Sequence, residues 1–366
     1  MIDLNKDYCL KEIPFNIVPD NTDNIIWAGM NKIKKEFEGT IQKSLINSSS
    51  KILVNYGSYG SYGSGKTHSA EYFSAEKNLK FIKDKHIKSF LFIFPKDTKN
   101  ITEYIFQSFL SIYGVSNLIS DLKDINNIDF NKLLKKFSND EEIRNILLAI
   151  IKNEDEKDIK RILYNQVDQS ILHKYNLMKR VEGDVIIKIF AILIKILTYK
   201  KYDLIVFWID EFEDITTLNR QEVNKMTSFL RDLIDNIPKK MLTYLNFVPT
   251  TFTDLDSLYS YFIGSALERR ITNGVEFDVL TLSEIKIYIK ELFEFYRIEK
   301  FDNKNPYFPI EERVLDSIYN LIPSELTIGK LNNILQELFE NAILDDIKVI
   351  DIEYFNQNKY DLYSLK

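Results

Sequence analysis

The sequence predicts an α/β fold, with a parallel sheet flanked by helices and followed by a smaller region made of helices alone. Short apolar runs, most clearly residues 202–209, have the length and near-continuous hydrophobicity of strands covered on both faces. Helical patterns separate these runs, as the crossover connections between parallel strands require. After residue 278 the hydrophobic period is that of helices only.

The elements follow in a regular order along the first 278 residues. Strands are predicted at 51–56, 88–94, 202–209 and 241–248. Helices are predicted at 31–44, 66–83, 101–113, 184–199 and 220–236. Between 116 and 183 the chain turns polar, with charged helices at 140–152 and 155–164. These patterns predict one open sheet with helices on its faces.

The remaining residues predict a small helical bundle. Thr281 and Glu284 have the spacing of a capping box, and an apolar stripe follows them. Further helices are predicted at 311–321 and around 331–342. Three amphipathic helices of this length can bury their stripes by packing together against the sheet domain.

Composition excludes several classes of protein. The formal net charge is −6, so no global basic field attracts nucleic acid or an anionic membrane. Cys9 is the one cysteine, which excludes an intramolecular disulfide framework and favours a reducing cytoplasm. We expect no signal peptide and no membrane span, because no apolar segment is long enough. His68, His86 and His173 are scattered and do not predict a metal site.

The strongest motif follows the first predicted strand and has the spacing G-x-x-x-x-G-K-[ST]. Its residues are Gly60, Ser61, Tyr62, Gly63, Ser64, Gly65, Lys66 and Thr67. Its glycines allow positive φ, so that successive N–H groups can surround a polyphosphate at the start of a helix. Lys66 would reach the β- and γ-phosphates, and the Thr67 hydroxyl would bind Mg²⁺. The motif predicts a P-loop NTPase that binds ATP, since a strand before it and a helix after it disfavour an ordinary glycine-rich turn.

A second part of the site is predicted where the apolar run 202–209 ends in acidic residues. Asp210 is placed to hold Mg²⁺, and Glu211 is placed to polarise the water that attacks the γ-phosphate. A charge cluster after a strand is often only a solvated loop. The P-loop in the same chain favours the catalytic interpretation.

Together these motifs resemble the AAA+ ATPases, over about residues 14–344. Within them the chain looks most like the origin-recognition or initiator branch and related bacterial ATPases of mobile-element and phage-defence systems. Pro14 and Phe15, followed by residues 27–30, are similar to the segment that covers the adenine in that branch. The resemblance implies a nucleotide-binding domain at 1–278 with a helical insertion at about 116–183. It further implies a helical lid domain at 279–346, followed by a C-terminal tail at 347–366.

The resemblance also implies the outlying catalytic positions. Arg269 or Arg270 would be an arginine finger, and Lys330 would be the second sensor, where the family usually has arginine. Thr250 is preferred to Asn246 as the first sensor, because it lies at the strand end. The alternatives are a solvated helix face for the arginines and a surface position for Lys330. Trp27 has the alternative of packing in the core, and not on adenine.

Two functions remain open from the sequence. The first is an ATP-hydrolysing AAA+ enzyme that assembles as a homo-oligomer and acts on a protein partner, in a nucleic-acid-directed bacterial system such as phage defence. The second is a nucleotide-gated switch or scaffold with slow hydrolysis. Glu211 directly after Asp210 favours the first, because a switch does not need a positioned base. Nucleic-acid contact is expected to be weak or indirect, since few residues follow the lid.

Overall fold

The computed structural model describes residues 2–15, 25–47, 49–57, 63–124, 127–152, 155–178, 180–249, 254–263, 267–298 and 301–363. Its strands are β1 (Lys51–Gly57), β2 (Ile87–Ile93), β3 (Leu204–Asp210), β4 (Met241–Asn246) and β5 (Ile271–Phe277). They form one sheet in the order β2-β3-β4-β1-β5, and every neighbouring pair is parallel. The predicted parallel α/β sheet is therefore confirmed.

One strand was not predicted from the sequence. β5 forms the edge of the sheet beside β1, with Ile271 opposite Ile52. Ile271, Val275 and Phe277 are buried in β5, and exposed polar residues such as Thr272 and Glu276 lie between them. An edge strand half open to solvent lacks the continuous apolar run that identified the central strands.

The helices before the sheet's last strand follow the predicted order. They are α1 (Asn31–Asn47), α2 (Lys66–Ser74), α3 (Ile101–Tyr113), α4 (Val115–Lys123), α5 (Asn127–Phe137), α6 (Glu141–Lys152), α7 (Glu156–Leu163), α8 (Gln169–Lys174), α9 (Asp184–Lys200) and α10 (Arg220–Asn236). A helical turn (Leu255–Ser257) and a π-helix (Leu258–Ile263), which were not predicted, lie between α10 and β5. The helix predicted at 66–83 is shorter than expected, because α2 ends at Ser74 and a 3₁₀ turn follows. Among the described residues, no helix is long and apolar enough to cross a bilayer.

The sheet separates two hydrophobic cores. Alternate residues of β3 enter them: Phe207 lies in the core shared with α3, α9 and α10, and Trp208 lies in the core shared with α1 and α2. We call the first the insertion-side core, because α4 to α8 complete it. We call the second the lid-side core, because the helices that follow β5 complete it. The two-sided burial explains why β3 is apolar without alternation.

The C-terminal helices are α11 (Leu282–Tyr296), α12 (Glu312–Leu321), α13 (Ile328–Leu344) and α14 (Ile352–Tyr363). The capping box of Thr281 and Glu284 is present at the start of α11, as predicted. Residues 347–366, expected as a tail, contain α14, which packs on α12 and α13. The N-terminal segment also joins these helices, since Tyr8 is buried against Phe339 and its hydroxyl donates to the Ile347 carbonyl at 2.6 Å.

Candidate functional site

The described part of the P-loop directly precedes α2. Gly63 and Gly65 have φ angles of 71° and 101°, which L side chains rarely adopt. The helix begins directly afterwards at Lys66, so its unpaired N–H groups point into the loop. Ser69 donates both its N–H and its hydroxyl to the Gly65 carbonyl, at 2.9 and 2.8 Å. Gly60, Ser61 and Tyr62 lie outside the described residues.

Lys66 is buried at the base of this loop, with 5% of its surface exposed. Its Nζ donates to the Ser64 hydroxyl at 2.7 Å. Burial lowers the pKa of Lys66 to about 8, and the nearby charges of Glu213 and Asp210 oppose that shift. A polyphosphate placed here would supply the negative charge that a buried ammonium group needs.

Asp210 ends β3 beside Lys66 and is 3% exposed. Its Oδ1 accepts a hydrogen bond of 2.8 Å from Nδ2 of Asn246, the last residue of β4. The same amide donates to the Lys66 carbonyl at 3.1 Å, and its oxygen accepts from Asn55 at 2.9 Å. Asn246 thus connects the two phosphate-site motifs with β1. Asn246 was the alternative to Thr250 as the first sensor; Thr250 lies outside the described residues, so the choice between them stays a prediction.

The acidic residues after Asp210 differ sharply in their surroundings. Glu211 is exposed and has a left-handed backbone, with φ of 56°. Glu213 is half-buried, and its Oε2 accepts the Val248 N–H at 3.2 Å. Burial raises the pKa of Glu213 to about 7, while the charge of Lys66 lowers it. Sequence analysis missed Glu213, although the alternation of acidic and apolar residues after β3 placed it near Asp210.

Oxygen ligands suited to Mg²⁺ lie at the same edge of the sheet. Thr67 lies in the first turn of α2, and its side chain is exposed. Asp210 is the last residue of β3. Among the described residues no group of three or more His, Cys, Asp or Glu forms a complete metal site. Mg²⁺ commonly takes only one or two protein oxygens and completes its shell with phosphate oxygens and water. The residues therefore fit Mg²⁺ bound together with a nucleotide.

The helical region reaches the P-loop through two glycines. The Gly329 N–H, at the start of α13, donates to the Gly63 carbonyl at 2.7 Å. A Cβ on Gly329 would lie 2.8 Å from the Gly63 Cα, so neither position has room for a side chain. Thr327 caps α13 by accepting the Lys330 N–H at 3.3 Å. The P-loop backbone is therefore in direct contact with the first turn of α13.

Comparison with solved structures gives matches across nearly the whole chain. The ORC2 protein of Aeropyrum pernix in its ADPNP–ADP complexes matches with a TM-score of 0.58 and 10% identity, covering 95% of this chain and 72% of that one. Its ADP form matches with a TM-score of 0.54 and 12% identity over the same shares. No family model matches the sequence, and no curated protein matches it. The chain has an origin-recognition-type AAA+ fold.

The AAA+ fold places the two arginines far from the phosphate loop. Arg269 and Arg270 precede β5, whose first residue pairs with Ile52 at the amino end of β1. The P-loop follows the carboxyl end of β1, about 20 Å away for a strand of this length. Both arginine side chains are exposed, and Arg270 forms a two-bond ion pair with Asp235 at 2.9 and 3.1 Å. Neither arginine can reach the phosphates of its own chain.

Two further residues that the sequence resemblance singled out have simple structural partners. Lys330 lies in the first turn of α13, next to the glycine contact, and its Nζ pairs with Glu325 at 2.9 Å. Trp27 donates its indole N–H to the Gly29 carbonyl at 2.7 Å and packs against Tyr72 and Phe73 of α2. Trp27 therefore makes the core contacts of the alternative interpretation, on the helix that follows the P-loop.

Proposed function

We propose that this chain binds ATP with Mg²⁺ and hydrolyses it to ADP and phosphate. The observation that carries the proposal is the buried cluster of Lys66, Asp210 and Asn246 at the carboxyl edge of the sheet. The buried Lys66 ammonium group lies beside the glycine loop and the start of α2, where an anionic ligand would fit, and the Asp210 carboxylate would hold its Mg²⁺. The P-loop spacing of residues 60–67 identifies that ligand as a nucleotide polyphosphate.

The AAA+ fold and the distant arginines support action as a homo-oligomer. Each finger would complete the site of a neighbouring subunit, because it cannot serve its own. We further propose a protein partner in a cytoplasmic, nucleic-acid-directed bacterial system such as phage defence. That step rests on the sequence resemblance and on the single cysteine.

A nucleotide-gated switch with slow hydrolysis is the second candidate. An effective general base is held within hydrogen-bond reach of the attacking water. Glu211 is instead exposed, and this exposure favours the switch. In the switch, ATP binding would order the assembly through α13, and hydrolysis would only reset it.

The test uses nucleotide binding and turnover in parallel. Lys66→Ala should abolish binding of a fluorescent ATP analogue, since it removes the buried cation. Glu211→Gln should keep binding and lose turnover by about 10²-fold or more, as expected of a general base. Equal turnover of Glu211→Gln and wild type would reject the hydrolysing enzyme in favour of the switch. Normal ATP binding by Lys66→Ala would reject both.

A further inference from the structure

A cluster of lysines and aromatic rings lies on the insertion side of the molecule, away from the nucleotide site. We call it the basic-aromatic patch, and its members are Lys132, Lys136 and Phe137 of α5 with Lys195, Tyr199 and Lys200 of α9. The sequence suggests only the lysines of α5 as a cluster. Packing of α5 against α9 brings the two sets together.

The rings and ammonium groups of the patch are interleaved. The Phe137 and Tyr199 ring centroids are 6.3 Å apart at 75°. Lys136 Nζ lies 5.6 Å from the centre of the Tyr199 ring, and Lys200 Nζ lies 5.7 Å from it. Lys195 Nζ lies 5.7 Å from the centre of Phe137. Tyr199 is nevertheless 56% exposed, so a flat ligand can still approach its ring.

The charges of the patch differ from those of the lysines around it. Lys188 and Lys201, on the same helix and just after it, are paired with Asp140 and Asp121. In the described part of the chain, no carboxylate pairs with Lys132, Lys136, Lys195 or Lys200. Four neighbouring lysines that no described carboxylate pairs with, on a chain of net charge −6, mark a local site for an anion. Burial also lowers the pKa of Lys195, a cost that an anionic ligand would relieve.

The apolar side chains beside the patch determine which polyanion fits. Leu133 and Leu134 of α5 and Ile196 of α9 point into the insertion-side core and are at most 6% exposed. These described aliphatic side chains are therefore not available to insert into a bilayer, as those of membrane-bound amphipathic helices are. Exposed aromatic rings flanked by cations are instead typical of surfaces that stack bases and hold phosphates.

We propose that the basic-aromatic patch binds single-stranded nucleic acid, with its lysines on phosphates and Tyr199 stacked on a base. A single strand is required because the faces of bases in a duplex are covered by their neighbours. Binding at the patch needs neither nucleotide nor the arginines, so it stands apart from the proposed ATPase.

The experiment measures fluorescence anisotropy of a labelled oligothymidylate of about twenty nucleotides with the full chain, without ATP. Wild type should bind the single strand more tightly than a duplex of equal length. Affinity should fall about tenfold or more between about 50 and 200 mM salt, as expected for some three phosphate contacts. No binding at low salt, or a preference for the duplex, would overturn the proposal.

Two sets of variants separate charge from stacking. The double variant Lys136→Gln with Lys200→Gln should make the slope of log affinity against log salt concentration shallower by about 1.4. This is about 0.7 for each lost phosphate contact. Lys80→Gln with Lys83→Gln is the matched control, since these exposed lysines line a cleft beside the amino end of β2. An equal loss in the control pair would show general electrostatic attraction and overturn the patch.

Tyr199→Ala should weaken oligothymidylate binding about fivefold or more at constant charge, and Tyr199→Phe should restore it. An equal loss of oligothymidylate affinity in the Ala and Phe variants would reject stacking on this ring. Thermal melting of each variant checks the fold, because all the substituted side chains are exposed. Vesicles containing phosphatidylserine serve as the competing probe. Binding to them that depends on the patch, without oligothymidylate binding, would identify a membrane surface and refute the proposal.

Discussion

The two ends of the sheet carry the two halves of the predicted catalytic machinery, and they differ in almost every physical respect. At the carboxyl end, Lys66, Asp210 and Asn246 are buried and joined by hydrogen bonds. At the amino end, Arg269 and Arg270 are exposed, and Arg270 is held by a surface ion pair. The first set is preorganised within one chain. The second lies at the opposite end of the sheet from the phosphate loop, so the proposed finger role would require a neighbouring subunit.

The largest expected effect concerns the arginines at the amino end of the sheet. If Arg269 is the finger, Arg269→Ala should lower turnover by roughly 10³- to 10⁵-fold with nearly normal ATP binding, because a finger stabilises charge developing on the transferred phosphate. Arg270→Ala should cause no more loss than Asp235→Asn, since that variant also breaks their ion pair. Steady-state ATPase assays and analogue binding measure both.

Mixing two inactive variants tests whether the arginine of one subunit acts on the nucleotide site of another. Lys66→Ala protein has no working site but keeps its arginines, so adding it to Arg269→Ala should restore activity where the two meet. Specific activity should also rise with protein concentration. Turnover that is independent of concentration, without rescue, would leave both arginines as surface residues.

The next effect tests the connection at the carboxyl end. Asn246→Ala should lower turnover by about 10- to 100-fold and raise the Mg²⁺ concentration for half-maximal rate, as loss of a partner of a metal ligand does. The cause is that Asp210 loses the amide that orients it. A Mg²⁺ titration of the ATPase measures this.

Ser89→Ala is the control for the buried amide. It removes the 3.1 Å hydrogen bond to the Trp208 indole, elsewhere in the sheet. It should lower the melting temperature and leave the Mg²⁺ dependence unchanged. The same Mg²⁺ response in both variants would mean that Asn246 supports only the fold.

A smaller effect is expected where the lid helices meet the P-loop. Gly329→Ala should weaken ATP-analogue binding several-fold, about 1 kcal/mol, because its Cβ would lie 2.8 Å from Gly63 and displace either α13 or the loop. Gly39→Ala is the matched control, since no atom lies within 4 Å of the added Cβ. That change should stabilise α1 by about 0.5–1 kcal/mol. Unchanged ATP binding in Gly329→Ala would separate α13 from the nucleotide.

The smallest effect is a pH dependence of stability without ligand. The pKa of Glu213 is raised to about 7, above its ordinary value of 4.5. Between these values the unfolded chain loses a proton that the folded chain keeps, so the free energy of unfolding should fall as pH rises from about 5 to 7. Glu213→Gln should remove this part of the slope, and Glu211→Gln, at an exposed position, should not. Urea unfolding at several pH values measures it, and identical slopes in all three proteins would contradict the buried carboxyl.

Local sequence signals predicted the phosphate-binding loop, the acidic strand end and the strand and helix order. The P-loop spacing of 60–67 needs no distant partner, because one turn and one helix start create the site. The run ending at Asp210 was recognisable because a central strand is buried on both faces. Comparison with ORC2 of Aeropyrum pernix confirms the predicted fold, while the roles of the individual residues stay predictions.

Other features depend on contacts between distant parts of the chain. Asn246 meets Asn55 across 191 residues, and no local pattern distinguishes it from Thr250 as a polar residue near the end of β4. Glu211 and Glu213 differ in burial, backbone conformation and hydrogen bonding, because Glu211 has a left-handed backbone and Glu213 lies in the 3₁₀ turn that follows β3. The edge strand β5 and the packing of Tyr8 on Phe339 were likewise invisible to periodicity.

The sequence by itself determined that the chain forms a parallel α/β sheet with a phosphate loop at a helix start, since hydrophobic period and glycine spacing act over a few residues. Tertiary structure decided which polar groups share the site, that the N-terminal segment and α14 join the lid helices, and that Arg269 lies at the far end of the sheet. Those outcomes follow from strand order and register, which set distances between residues far apart in sequence.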